Sequence, residues 1–422
     1  LLVFGSVAQR AQQQMALAPT PLLPVPTLTS EPYPPPIRTR PTTETPEPYP
    51  PPTRTPAPTI PTPTLTTTLT PVPTPTAFVS GLKLLWAEAT ITEGVQRTPT
   101  FLLADVGDLA NRSTIYTLPW STQLVRATLS PDGSKIAYTT LSRPGGRPGL
   151  EGTLWVMNID GSGQWELAGG MEPRGPANCY PAWSPDNRML AYTKYAPKFA
   201  APAGEKDEDL YRTEIHVVAA DGSWERALIA DDAESPHLIG WSPEGKVLYG
   251  RLTSQGYELW TVDMAGNRTF ITLMHTEPVH LRPLLSPDHK KMIFTTYSPL
   301  GIYEGLVYLS ADGREKRGMD INLEKPWNIG GWVSNDELIL HIGLARYRIM
   351  DVHTMAYRDI TVAARLPDGG SDYFLSMSPD GQWLVMENYP KGGASLLQAN
   401  SQVRITITGN WFLFLGWLTY GR

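Results

Sequence analysis

The chain has 422 residues, 41% of them hydrophobic and 18% charged, with a formal net charge of −6. That apolar content suffices for one large domain or two ordinary ones, and the acidic balance without a Lys/Arg cluster excludes nucleic acid as the partner. The single cysteine, Cys179, excludes an intrachain disulfide framework.

The chain opens with LLVFGSV, which reads as the tail of an apolar segment. Small residues follow at Ser6, Ala8, Ala16 and Ala18, so residues 1–18 are expected to be the remnant of a signal peptide or a membrane anchor. Half of the 42 prolines then fall between Pro19 and Pro75, in a tract of Pro, Thr, Leu and Ala. Such a composition buries too little apolar surface to offset the cost of ordering its backbone, so 19–77 is predicted to be a disordered stalk. Within it EPYPPPIRT from Glu31 returns as EPYPPPTRT from Glu47. Fully extended, the tract would reach on the order of 150 Å, enough to hold a domain away from a surface.

From Gly81 the pattern changes. GLKLLWAEA, TFLLADV and STIYTLP read as three strands, and then a motif begins to recur: TLSPDGSKIAYTT, AWSPDNRMLAYTK, GWSPEGKVLYGRL, LLSPDHKKMIFTT, GWVSNDELILHIG and SMSPDGQWLVMEN, with a degenerate GWLTYGR at the end. The residue before the turn is always large and apolar: Leu129, Trp183, Trp241, Leu285, Trp332, Met377 and Trp417. Four positions later stand Gly133, Asn187, Gly245, His289, Asp336, Gly381 and Gly421, the residue types that best tolerate a left-handed backbone. Proline at the second turn position presets φ, and Ser or Asp bonds to nearby backbone. The motif is therefore a tight hairpin.

Each copy leads into an alternating strand and a second hairpin at Asp160-Gly161, Asp221-Gly222 or Asp312-Gly313, dipeptides favoured in two-residue turns. One repeat thus supplies four antiparallel strands. Copies spaced 40 to 58 residues apart match the period of a propeller blade. The three strands after Gly81 lack a first strand, and the C-terminal NWFLFLGWLTYGR is a first strand with nothing after it. Together they complete one blade and close the ring without a free edge. The expected fold is all-β: a seven-bladed β-propeller of four-stranded antiparallel blades over 78–422, with six blades if the terminal strand is not used in this way.

The SPDG hairpins, the Trp before them and strands such as LWVMNIDG resemble the TolB-like, WD40-like β-propeller repeats over about Phe78 to Arg422. The resemblance implies an extracytoplasmic bacterial protein that serves as a protein-binding platform, and related propellers form the non-catalytic part of prolyl-oligopeptidase-type peptidases. Such a likeness supports fold more firmly than function.

Two sites are expected on the face that carries the long connections. The longest, YAPKFAAPAGEKDEDLYRT, sets Tyr195, Lys198 and Phe199 before Glu205 and Asp207, then Tyr211 and Arg212, a mixture suited to docking a protein partner. At the channel mouth Cys179, His237 and His280 fall four or five residues before the turn-flanking position of their blades. With His275, Glu277 and Asp232 nearby, these groups raise a divalent-metal reading, but their spacing fits no ligand signature and no metal site is assigned. No GxSxG, HExxH, phosphate loop or dinucleotide fingerprint occurs. The reading is an extracytoplasmic protein- or peptide-binding propeller on a stalk, monomeric and without a cofactor. The alternative is a hydrolase or glycan-active propeller using the channel mouth.

Overall fold

The computed structural model describes residues 81–92, 95–120, 122–142, 151–171, 181–197, 211–231, 236–274, 283–297, 303–319, 328–343, 345–363, 371–389 and 392–419. The expected leader remnant and stalk lie outside the described residues. In chain order the first strands are β1 (Leu82–Thr92), β2 (Val95–Asp105) and β3 (Asp108–Thr117). Blade 2 follows as β4 (Thr122–Leu129), β5 (Lys135–Ser142), β6 (Glu151–Asn158) and β7 (Trp165–Met171). Blade 3 is β8 (Ala182–Trp183), β9 (Met189–Pro197), β10 (Tyr211–Ala219) and β11 (Glu225–Ile229). Blade 4 is β12 (His237–Trp241), β13 (Val247–Thr253), β14 (Gly256–Val262) and β15 (Arg268–Met274). Blade 5 is β16 (Leu284–Leu285), β17 (Lys291–Tyr297), β18 (Tyr303–Ser310) and β19 (Lys316–Met319). Blade 6 is β20 (Asn328–Trp332), β21 (Glu337–Gly343), β22 (Arg346–Asp351) and β23 (Tyr357–Thr361). Blade 7 is β24 (Ser371–Met377), β25 (Trp383–Tyr389), β26 (Ala394–Gln398) and β27 (Arg404–Thr408), and β28 (Trp411–Thr419) ends the series.

Every blade is a four-stranded sheet in simple order, and β28 joins β1 to give the sheet β28-β1-β2-β3. Its register runs antiparallel from Leu82↔Thr419 to Ala89↔Trp411. The fold is a seven-bladed propeller closed by its C-terminal strand, and the six-bladed alternative drops out. The core lies between blades. Ala137, Leu154 and Val156 of blade 2, for example, pack on Trp183, Leu190 and Tyr192 of blade 3.

The SPDG turn is built as its residues require. The Ser130 hydroxyl donates to Asp132 Oδ1 at 2.7 Å and accepts from the Lys135 amide at 2.9 Å, while the Gly133 amide donates to the Ser130 carbonyl at 2.8 Å. Ser184, Ser286 and Ser378 repeat this pattern with Asp186, Asp288 and Asp380. These serines are buried, so their hydroxyls need such partners. The fourth turn position is left-handed at Gly133, Asn187, Gly245, His289 and Gly381, with φ between 61° and 76°. Asp336 departs from the expectation. It is not left-handed, because the proline-free VSND turn closes differently, with Val333 and Ser334 both donating to the Glu337 carbonyl. Asp336 instead receives Lys291 of blade 5 at 2.9 Å.

The second hairpins are also longer than two residues. At Asp160-Gly161 the Gly161 amide bonds to the Asn158 carbonyl and Asn158 pairs with Ser162, leaving three residues in the loop; Ala219 pairs with Trp224 around Asp221-Gly222. The Asp closes a type I turn and the Gly takes the left-handed position after it, the alternative hairpin geometry for the same dipeptide. At Gly161 a β-carbon would also run into the Ile115 carbonyl of blade 1.

The tryptophans before the turns tie successive blades together. The Trp183 indole N–H donates to the Thr128 carbonyl at 3.4 Å, Trp241 to Ala182 at 2.8 Å, and Trp332 to Leu284 at 2.9 Å. Trp417 donates to the Ser376 hydroxyl at 3.1 Å. In each case the acceptor residue immediately precedes the equivalent position of the preceding blade. These residues thus serve blade packing and add a directional bond to it.

Two outcomes test this account by urea unfolding. Trp241→Phe keeps most of the ring but loses the indole N–H bond to the Ala182 carbonyl, and should cost about 1 kcal/mol. Gly161→Ala should cost at least about 2 kcal/mol, from left-handed strain plus the clash with blade 1, whereas Gly245→Ala, with no atom within 4 Å of the new β-carbon, should cost only about 1 kcal/mol.

Candidate functional site

The two faces of the propeller differ in their connections. The hairpins after the first and third strands of each blade are short throughout, such as 130–134 and 220–224. On the opposite face the links run to 143–150, 172–181 and 198–210 around blades 2 and 3, and to 275–283 and 362–370 elsewhere. The links 172–181, 275–283 and 362–370 cross from the outermost strand of one blade to the innermost strand of the next, but 143–150 and 198–210 only join neighbouring strands of one sheet. Such strands need no more than a few residues to turn, so the additional chain there is not required by topology.

The strands that the longest link joins, β9 and β10, carry a buried charged network. Their register sets Glu214 opposite Lys194 and His216 opposite Tyr192, and strand alternation places Arg212, Glu214 and His216 on one face. Arg212 donates from Nε and Nη2 to Glu214 Oε1 at 2.8 and 2.6 Å. Glu214 Oε2 lies 2.7 Å from His216 Nε2, and His216 Nδ1 lies 2.8 Å from Glu225 Oε1. The Tyr192 hydroxyl donates to that same oxygen at 2.5 Å, and Lys194 approaches it at 3.6 Å. Since Tyr192 and Val218 on this face belong to the cluster shared with blade 2, the network sits in the interface between the two blades.

The electrostatics follow from burial and pairing. Burial alone would raise the Glu214 and Glu225 carboxyls, but the hydrogen bonds and charges of His216, Arg212, Tyr192 and Lys194 outweigh it and hold both below the usual range. Burial, reinforced by Glu225, pushes the Tyr192 phenol up. Elsewhere, burial raises the Glu387 carboxyl, with Arg126 pulling the other way.

The docking residues expected from the sequence are placed unevenly. Lys198, Phe199, Glu205 and Asp207 lie outside the described residues. Tyr195 and Tyr211 are placed in β9 and β10, facing Thr213 and Pro197 in the ladder. Arg212, expected in the docking loop, is a strand residue only 6% exposed and bound to Glu214; this guanidinium is turned into the blade interface. Cys179 and His280 lie outside the described residues. His237 opens β12, is exposed, and stacks on Tyr257 with centroids 6.4 Å apart. Among the described residues no group of three His, Cys, Asp or Glu could hold a metal ion. The sequence reading passes over Glu214, His216 and Glu225, although RTEIHVV signals the first two by its polar alternation; Glu225 joins them only through the pairing of β10 with β11.

No protein-family profile and no curated protein sequence matches the chain. Solved structures do. An acylaminoacyl peptidase from Pyrococcus horikoshii superposes with a TM-score of 0.50 at 11% identity, covering 78% of this chain and 50% of that one. A prolyl endopeptidase gives 0.50 at 10% identity, covering 81% and 50%. TolB from Acinetobacter baumannii, at 16% identity and a TM-score of 0.40, covers 78% and 63%. The chain therefore spans about half the length of either peptidase. What is shared is the propeller fold, and TolB structures stand among its neighbours as the repeats suggest.

The network should report itself in stability. Glu214 and Glu225 bind protons more weakly folded than unfolded, so their contribution is complete above their ordinary value of 4.5 and is lost as pH falls through the depressed folded values. His216→Leu, which leaves the two carboxylates without their shared partner, should cost about 2 kcal/mol at pH 7. Urea unfolding should show that loss shrinking as pH falls through those depressed values, where the carboxyls take up protons.

Proposed function

We propose that this chain is an extracytoplasmic protein-binding propeller, held out on its Pro/Thr-rich stalk, that takes its partner on the face with the long connections. The observation that carries this reading is the one-sided distribution of connection length. On the turn face, Ser, Asp and Gly are consumed in closing hairpins, which leaves little freedom to vary chemistry there. On the other face, chain beyond what a hairpin requires falls within blades 2 and 3, and in blade 3 it joins β9 and β10, which a charged network anchors. Rigid strands under long connections are a common arrangement for binding loops. The extracytoplasmic placement draws on the N-terminal sequence and the TolB resemblance.

The test is affinity capture from source-cell envelope extract, with the captured protein identified by mass spectrometry. The full chain is used beside a version lacking Pro197 to Asp209. The deletion should leave the thermal midpoint within a few degrees, since β9 and β10 can be joined by a short hairpin, and should abolish capture. Undiminished capture would remove this connection as the docking site. Turnover of a peptide or glycan panel by the intact chain would instead favour the hydrolase or glycan-active reading.

A further inference from the structure

A second place shaped for a ligand runs along the outer strand of blade 1, from the β1–β2 hairpin on the long-connection face to the β2–β3 turn on the other. Between blades 7 and 1 two cavities follow one another along β3. The upper, of about 280 Å3, is lined by Glu88, Thr90, Arg97, Thr98, Arg112 and Asn410. The lower, of about 480 Å3, is bounded mostly by Val106, Leu109, Ile405 and Ile407, with the carboxylate of Asp108 at the β2–β3 turn, away from Arg97. Arg112 lines both, so they form one cleft with a polar end and an apolar end.

The polar end carries surplus positive charge. Arg112 pairs with Glu88 at 3.4 Å, and Glu88 also accepts the Trp86 indole N–H at 3.2 Å. Arg97 has no ion pair with a described carboxylate. Its guanidinium lies 4.3 Å from the ring centroid of Trp120, which is 62% exposed. Stacking fixes the plane of the guanidinium while leaving its N–H groups free to meet an oxyanion side-on.

The strand that presents Arg97 is strained. Thr98 has φ 44°, a rare conformation for a β-branched residue, and the register slips between Glu88 and Thr90, so Thr98 and Pro99 bulge opposite Ala89. Bulges and strain of this kind re-aim side chains, and they gather at binding sites.

We propose that the cleft binds an acidic segment of the protein partner, with one carboxylate on Arg97 and Arg112 and a nearby apolar side chain in the Leu109–Ile405 cavity. This rests on the protein-binding reading and specifies its chemistry. Charge complementarity selects the acidic group. The apolar cavity adjoining the same arginine selects a peptide over a sugar, since Leu109 lies three residues from Arg112 along β3, about 10 Å, within reach of neighbouring side chains of an extended chain.

Fluorescence anisotropy on the full chain tests it. The probes are ten-residue Gly/Ser peptides carrying one Glu and one Leu two, three or four positions apart, in either order. At least one should bind, and replacing its Glu by Gln or its Leu by Ser should weaken it at least tenfold. Arg97→Met should do the same, Trp120→Leu should weaken binding less, and Arg314→Met, on the turn face, should leave it unchanged. Circular dichroism melting checks that each variant is folded. Failure of every peptide, indifference to Arg97→Met, or equal competition by sodium glucuronate would overturn the proposal. Partner capture that survives Arg97→Met but not the Pro197–Asp209 deletion would overturn it and leave the protein-binding reading standing.

Discussion

The structure depends on the contact between the innermost strands of neighbouring blades. Each blade is only four strands wide, and none can bury both its faces alone. The spacing is set where the residue before the hairpin reaches the preceding blade, and in four of those places an indole N–H bonds to that blade's strand end or its hydroxyl. A Trp there fills the wedge between sheets and gives its own indole N–H an acceptor in the preceding blade. His289 extends the theme from the turn itself, with Nδ1 3.0 Å from the Trp241 carbonyl.

Against this apolar rule, blade 3 places a chain of ionisable groups in an interface that its neighbours fill with aliphatic side chains. Such a network adds little net stability, because desolvation offsets most of the attraction. It does impose geometry. Arg212, Glu214, His216 and Glu225 must all meet within hydrogen-bond reach, so the ends of β9 and β10 are fixed more narrowly than packing alone would fix them. The strands that carry the longest connection are thus the ones held by directional bonds.

Much of the architecture was legible because its signals are local. Ser, Pro, Asp and a residue tolerant of left-handed backbone lie within four positions, and the chain ends declare their missing strands by pattern alone. The errors fall where a local motif has two solutions or where the decisive partner is remote. Asp-Gly suits two hairpin lengths, and three-dimensional pairing decides between them. Asp336 looks like its counterparts, but without proline the turn closes otherwise and the carboxylate goes to Lys291. Arg212 follows a long polar insertion and reads as loop, while its commitment to Glu214 shows only once β10 is seen as a strand. The Arg97–Trp120 stack joins a residue of β2 to one in the link after β3, and nothing in either segment announces the other.

The placement of β1 bears on how the protein carries load. It is the first strand after the Pro/Thr-rich tract, yet in its sheet it is interior, with β28 on one side and β2 on the other. A tension drawn through the tract therefore cannot peel an edge strand away bond by bond. Drawing β1 out must break two ladders together, one of them formed by β28, so the clasp that closes the ring also serves as its mechanical anchor.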